Sequence, residues 1–181
     1  MKNILSPIEP PYTGEVSKAF ENYPQADGYI LQLFRVFANS MRFLTGRGVV
    51  NLLDKESPLS LREREIVILR TCANRDCEYE WGVHVSVFAR AAGLTEEQVR
   101  ATKTDEHEVA GWSPEDMVLI KVVDELCLHA KLLERTCECF QEEWSLEQQL
   151  EILALCGNYH TVSFVANTSR LPGEAFGAKF P

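Results

Sequence analysis

Three ionisable side chains, Glu65, Glu80 and His84, fall on helix faces that are otherwise apolar. At about 100° per residue, the helix that begins after Ser60 has an apolar face centred on residues that include Leu61, and Glu65 lies in the middle of that face. Glu80 and His84 lie one turn apart on the inward face of the next helix. A buried carboxylate loses several kcal/mol of solvation unless it is paired, neutralised or coordinated. We therefore expect Glu80 and His84 to exchange protons with a substrate, and Glu65 to orient the imidazole.

Two other interpretations of these three side chains remain open. They could form a structural ion-pair network that locks two helices together in a protein without activity. They could also hold a metal in a binding or assembly protein, and carboxylate and imidazole ligands would suit zinc, manganese or iron. The interpretation that we favour is catalytic and involves no metal and no cofactor.

Cys77 is the thiol closest to this pattern, at the start of the second helix, where thiolate is favoured. A redox partner three residues further on would be position 80, which is glutamate. Cys72 is predicted on the preceding helix, so we expect no second sulfur near Cys77, and a dithiol would need a thiol brought close by folding. We expect Cys77 to line the pocket or to be a packed thiol, with a possible redox role. Trp81 is expected to belong to the core or to border the pocket.

The segments that position these residues are predicted to be helices. Capping boxes begin at Ser60, Thr95 and Ser145, and Ser113 precedes a proline at a first helical position. These signals predict helices near 60–74, 95–102, 113–132 and 145–167, and a further helix near 77–92 would end at Gly93. On that helix the inward face is expected to include Val87, Phe88 and Ala91, and Tyr79 and Gly82 are expected to point away from it.

The two ends of the chain are predicted to be non-helical, in contrast to the helical middle. Residues 1–14 carry three prolines and a glycine, which favours an extended arm on the body or on a neighbouring subunit. Two or three helices follow, up to about residue 53, with interruptions at Gly46 and Gly48. The predicted organisation is thus an arm at 1–14, a single all-helical domain at 15–170 and a tail at 171–181. His107 is expected in a polar linker, and His129 near a helix end.

Composition limits the possible partners. The chain has 181 residues, 45% of them hydrophobic, and a formal charge of −9 with no basic run. These values predict a globular protein that binds neither nucleic acid nor an anionic membrane through a charged patch. With no signal-peptide pattern and no membrane-length apolar segment, we expect a cytoplasmic protein. Its six cysteines are expected to be mostly reduced and packed.

The helix after Ser145 is apolar on two sides. Leu146, Leu150, Leu153 and Phe164 lie on one side, and Ile152, Leu155, Tyr159 and Val162 lie on the other. A domain of this size rarely encloses so long a helix, so a subunit interface is expected on one side. The pattern predicts a homo-oligomer.

The segment Leu61–Arg70, followed by Cys-Glu-Tyr-Glu-Trp-Gly-Val-His at 77–84 and by Ala91–Leu94, resembles the carboxymuconolactone decarboxylase family. This family belongs to the alkylhydroperoxidase D-like superfamily. The resemblance is specific over about residues 58–103 and weaker through Trp112 and the 158–167 segment. It implies an all-α helical bundle that assembles as a dimer, trimer or hexamer, with its site between helices near a subunit boundary.

The resemblance implies two activities. In the hydroperoxidase branch the motif is Cys-x-x-Cys-x-x-x-His with an upstream glutamate, which here would match Cys77, His84 and Glu65. Glu80 stands where the second cysteine would be, and a carboxylate cannot form the disulfide. In the decarboxylase branch the substrate is a small carboxylated lactone, and proton transfer by Glu80 and His84 suits that reaction. A proton-transfer enzyme is therefore the first hypothesis, and an antioxidant peroxidase that uses Cys77 is the alternative.

Overall fold

The computed structural model describes residues 6–25, 27–39, 41–45, 57–104 and 110–181. In these ranges the chain forms helices joined by turns and loops, without a β-sheet, which confirms the all-α prediction. The helices are α1 (Gly14–Phe20), α2 (Gln32–Phe37), α3 (Met41–Thr45), α4 (Leu61–Asn74), α5 (Glu78–His84) with a π-helical turn at Val85–Ala89, α6 (Glu96–Ala101), α7 (Pro114–His129), α8 (Glu134–Glu143) and α9 (Leu146–Thr168).

Four helices begin with a reciprocal capping box. At Ser60, Thr95, Ser113 and Ser145 the hydroxyl accepts from the backbone amide three residues on, and the side chain at that position accepts from the cap amide. Two otherwise unpaired amides are satisfied at each helix start. The predicted starts of α4, α6, α7 and α9 are therefore confirmed.

Helix α4 forms the centre of the bundle and packs against α5, α7 and α9. Every residue from Arg64 to Ala73 is buried, including two arginines. Arg64 Nη1 lies 3.1 Å from Glu151 Oε1, and Arg70 Nε lies 2.6 Å from Asp124 Oδ1. These ion pairs compensate for the burial of charge and tie α4 to its neighbours α9 and α7.

The π-helical turn after α5 corrects the predicted inward face of this segment. Val87 and Phe88 are 51% and 36% exposed, and Ala91 is also exposed, whereas Ala89 and Ala92 are buried. A π turn holds one residue more than an α turn, so every position after His84 moves by one place around the axis. The α-helical spacing holds only as far as His84.

The C-terminal segment packs over the outer side of α5. Glu174 accepts hydrogen bonds from the Tyr29 hydroxyl at 2.7 Å and from the Tyr79 hydroxyl. The Ala178 amide donates to the Gly82 carbonyl at 3.0 Å. Tyr79 and Gly82 were expected to point outward from the domain, but the tail covers them and both are buried.

Three further expectations differ from the structure. Helix α8 has no sequence signal at its start, because its N-cap is Leu133, which makes no side-chain cap bond. Helix α7 ends at His129, since Ala130 takes the left-handed conformation. Leu61, expected at the centre of an apolar face, is exposed because it is the first residue of α4. His107, Gly46 and Gly48 lie outside the described residues.

Two further features singled out from the sequence, the N-terminal arm and the apolar helix after Ser145, are seen in the structure as follows. In the described part of the arm, residues 6–13, the Ile8 amide donates to Arg35 of α2 in the same chain. The two predicted sides of α9 are distinct: Ile152, Leu155, Tyr159 and Val162 are buried, and Leu146, Leu150, Leu153 and Phe164 are exposed. Among the described residues, no helix is long and apolar enough to span a membrane.

Candidate active site

Helices α4, α5 and α9 bring together a buried network centred on His84. The His84 Nδ1 atom lies 2.8 Å from Glu65 Oε2, and its Nε2 atom lies 3.0 Å from the Tyr159 hydroxyl. Glu80 Oε1, one turn earlier on α5, lies 3.5 Å from Nε2. Glu65 is only 2% exposed, and Glu80 and His84 are 6% and 7% exposed. The three residues singled out from helical spacing therefore meet, and Tyr159 joins them.

The two carboxylates determine the charge of the imidazole. Burial by itself lowers the pKa of His84, but the charge of Glu65 and its hydrogen bond, aided by Glu80, outweigh burial and raise it to about 10. His84 is thus an imidazolium at neutral pH and donates from both ring nitrogens, to Glu65 on one side and towards Tyr159 and Glu80 on the other. Burial, followed by the charges of Glu80 and Glu65, raises the pKa of Tyr159, so its phenol stays neutral.

One atom of the network lacks a partner. The Glu80 Oε2 atom is buried and accepts no hydrogen bond from the described residues. An unsatisfied buried polar atom costs about 1–3 kcal/mol, and more when it carries charge. Such an atom is either a cost to the fold or the place where a substrate group binds.

The geometry does not favour a metal held jointly by Glu65, Glu80 and His84. The two carboxylates approach opposite ring nitrogens of His84, so one ion cannot bind both carboxylates and a nitrogen of the same ring. The only group of potential metal ligands found close together in the described residues lies elsewhere, at Cys127, Cys156 and His160.

Cys77 lies at the N-cap of α5, and folding brings a second thiol to it. The thiols of Cys72 and Cys77 interact, and Ser163 lies near both. The hydrogen bond from Cys72 and the backbone amide of Glu80 lower the pKa of Cys77, against the effect of burial. The expectation that no second sulfur lies nearby is therefore wrong. Both side chains are 0% exposed, so the pair is closed to solvent.

Trp81 belongs to the core. Its indole Nε1–H donates to Thr102 Oγ1 at 2.8 Å, and its ring packs against Phe180 of the tail at 5.2 Å between centroids. These contacts agree with the core interpretation. At the solvent side of the network, Phe88 packs beside His84 at 5.1 Å between ring centroids. Phe88 and its chain neighbour Val87 are both exposed.

Spacing on α4 and α5 did not identify Tyr159 or Cys72 as parts of this site. Tyr159 appeared only as an apolar member of the buried side of α9. Because a buried tyrosine hydroxyl normally has a hydrogen-bond partner, its presence on that side was the available signal. The meeting of Cys72 with Cys77 carries no such signal, because it depends on the turn between α4 and α5, where the Cys77 amide donates to the Cys72 carbonyl at 2.9 Å.

Comparison with known proteins agrees with the family resemblance seen in the sequence. The model of the carboxymuconolactone decarboxylase family matches residues 42–125. An uncharacterized peroxidase-related protein from Silicibacter sp. TM1040 has a similar fold, with a TM-score of 0.77 and 18% identity, over 92% of this chain and 88% of the other. No curated protein is significantly similar in sequence. The matched residues 42–125 contain every member of the network except Tyr159, and over them this chain is similar to the carboxymuconolactone decarboxylase family.

Proposed function

We propose that the chain is an enzyme that transfers protons on a small organic acid or carboxylated lactone, in the manner of a decarboxylase or a related lyase. The observation that carries the proposal is the unpartnered Glu80 Oε2 atom, buried beside a charged imidazole. A carboxylate oxygen held ready next to a proton donor is what general acid and base catalysis requires.

Each residue of the His84 network has its own role in the proposed reaction. Glu80 exchanges a proton with the substrate, and the His84 imidazolium supplies positive charge next to it. Glu65 acts as a positioning residue, because its bond to Nδ1 fixes the ring and leaves Nε2 facing Glu80 and Tyr159. The Tyr159 hydroxyl holds the other edge of the ring.

Decarboxylation balances with these groups alone. The bond between the substrate carbon and its carboxylate breaks, carbon dioxide leaves, and the electron pair moves into the conjugated carbonyl as an enolate. His84 stabilises that negative charge electrostatically. A proton passed from Glu80 or His84 then forms the new carbon–hydrogen bond, so one proton is consumed for each carbon dioxide released.

The test compares two carboxylates on the same helix. Glu80→Gln removes the proton-transfer group but keeps the shape of the side chain, and Glu78→Gln is the matched control on the surface of α5, where Glu78 pairs with Lys179. With a panel of carboxylated lactones and β-keto acids, carbon dioxide release and deuterium uptake from heavy water are measured. We expect Glu80→Gln to lose turnover by at least about a hundredfold, and Glu78→Gln to keep it. Full turnover by Glu80→Gln would contradict the proposal.

A thiol-dependent peroxidase is the second candidate, and the Cys72–Cys77 pair favours it. The Cys77 thiolate would attack a peroxide oxygen, releasing an alcohol and leaving a sulfenic acid. Cys72 would then displace water to form a disulfide, which an external dithiol would reduce. Peroxide consumption in the presence of a dithiol, lost in Cys77→Ser and kept in Glu80→Gln, would replace the first proposal with this one.

Assembly into a homo-oligomer also remains a proposal. Its support is the exposed apolar side of α9, where Leu146 is 79% and Phe164 60% exposed. Light scattering with size-exclusion chromatography tests it. A dimer, trimer or hexamer is expected, and a monomer at micromolar concentration would contradict the proposal.

A further inference from the structure

A second group of chemically active side chains lies away from the His84 network, where α7 meets α9. Cys127 comes from the last turns of α7, and Cys156 and His160 lie one turn apart on α9. Their ligand atoms, two sulfurs and one ring nitrogen, all lie within 4.8 Å of one another. Cys156 is buried, whereas Cys127 and His160 are partly exposed, so the group can be reached from solvent.

The distances within the group match those around a thiophilic metal. The Cys127 Sγ and His160 Nε2 atoms are 3.3 Å apart. Around a tetrahedral zinc, with bonds of about 2.3 Å to sulfur and about 2.0 Å to nitrogen, a sulfur and a nitrogen lie about 3.5 Å apart and two sulfurs about 3.8 Å apart. The other two separations are no more than 4.8 Å, so all three atoms are within reach of one ion.

The surroundings favour the ligand forms of Cys156 and His160, whereas the hydrogen bond to Cys156, followed by burial, raises the pKa of Cys127. The Cys127 thiol, followed by the Thr71 hydroxyl and the charge of Arg75, brings the pKa of Cys156 down to about 7 against the effect of burial. Burial and the charge of Arg75 lower the pKa of His160, which keeps its imidazole neutral. Thiolate and neutral imidazole are the forms that bind metals. A bound dication would displace the proton of Cys127. Two thiolates and the dication would then sum to zero charge, so Arg75 would face a neutral centre.

We propose that Cys127, Cys156 and His160 bind a thiophilic divalent cation, for which Zn²⁺ has the fitting size and geometry. Thiolate and imidazole donors select such ions over Mg²⁺ or Ca²⁺. With three protein ligands, the fourth tetrahedral position is left for water or an added ligand. The Thr71 hydroxyl, 3.5 Å from the Cys156 sulfur, supports the site by donating to a ligand atom.

The test uses Co²⁺ as a spectroscopic substitute for Zn²⁺ in the reduced, metal-free full chain. We expect one Co²⁺ per chain, a thiolate-to-cobalt charge-transfer band, and displacement of that band by Zn²⁺. Cys156→Ser should lose the band. His160→Gln should weaken Co²⁺ binding at least about tenfold, because even residues that only orient metal ligands contribute that much. His160→Gln alters a partly exposed side chain, so it serves as the variant that keeps its fold if Cys156→Ser does not.

Two controls match these variants. His129→Gln changes an exposed histidine at the end of α7, and Cys139→Ser removes a partly exposed thiol of α8. Both should bind Co²⁺ as the wild type does, and so should Glu80→Gln, because the site does not depend on the His84 network. A band that survives in both Cys156→Ser and His160→Gln would overturn the proposal. So would a folded wild type without a band, or a Cys127–Cys156 disulfide that forms equally fast with Zn²⁺ present.

Discussion

The raised pKa of His84 predicts how stability depends on pH. Burial lowers this pKa, but the charge and hydrogen bond of Glu65, with help from Glu80, raise it from 6.5 to about 10 in the folded chain. Because the folded pKa lies above the unfolded one, protonated His84 stabilises the fold. That stabilisation is complete below pH 6.5 and is lost as the pH rises towards about 10. At about 1.4 kcal/mol per pKa unit, the full effect is about 5 kcal/mol.

The perturbation that tests this reasoning is Glu65→Gln. It removes the larger of the two carboxylate contributions, so more than half of this pH-dependent stability should disappear. The free energy of unfolding is measured by urea denaturation between about pH 6 and about pH 10. The difference between wild type and Glu65→Gln should be large at the acid end and shrink towards the alkaline end, because other titrating groups cancel in the difference.

Glu151→Gln is the matched control. It also replaces a carboxylate that pairs with α4, but its partner is Arg64, which does not titrate in this range. Glu151→Gln should lower the free energy of unfolding by nearly the same amount at every pH tested. Imidazole resonances followed by NMR, assigned with His84→Gln, report the pKa directly. Parallel stability curves for wild type and Glu65→Gln, or a wild-type His84 that titrates near 6.5, would refute the reasoning.

Three further outcomes can be measured. A methyl group at Gly82 would meet the Ala178 carbonyl oxygen at 2.2 Å. Gly82→Ala should therefore displace the tail, lower the free energy of unfolding by about 1–3 kcal/mol and expose residues 171–181 to proteases. Gly157→Ala, which has open space around it in α9, should be neutral or stabilising. Cys72 and Cys77 should resist alkylation in the native protein while Cys137 reacts, as seen by peptide mass mapping, and rapid labelling of Cys77 would show that the pair is open. Ser60→Ala should cost about 1 kcal/mol in thermal unfolding, and an unchanged melting temperature would argue against its cap.

Much of the fold follows from local sequence signals. Capping boxes and helical spacing predict where α4, α6, α7 and α9 begin, because both depend on residues within one or two turns. The same spacing places Glu65, Glu80 and His84 on inward faces, and the structure brings them together. The start of helix α8 could not be predicted, because its N-cap residue makes no side-chain cap hydrogen bond.

Long-range packing decides the rest. Tyr159 reaches His84 across 75 positions of the chain, and Cys156 meets Cys127 only because α9 packs near α7. The tail buries Tyr79 from the far end of the sequence. The sequence by itself determined the helices and the inward turn of three charged residues, because helical geometry is local. Which further groups surround those residues, and therefore which protons they hold, was decided only by tertiary packing, since burial and neighbouring charge are properties of the assembled fold.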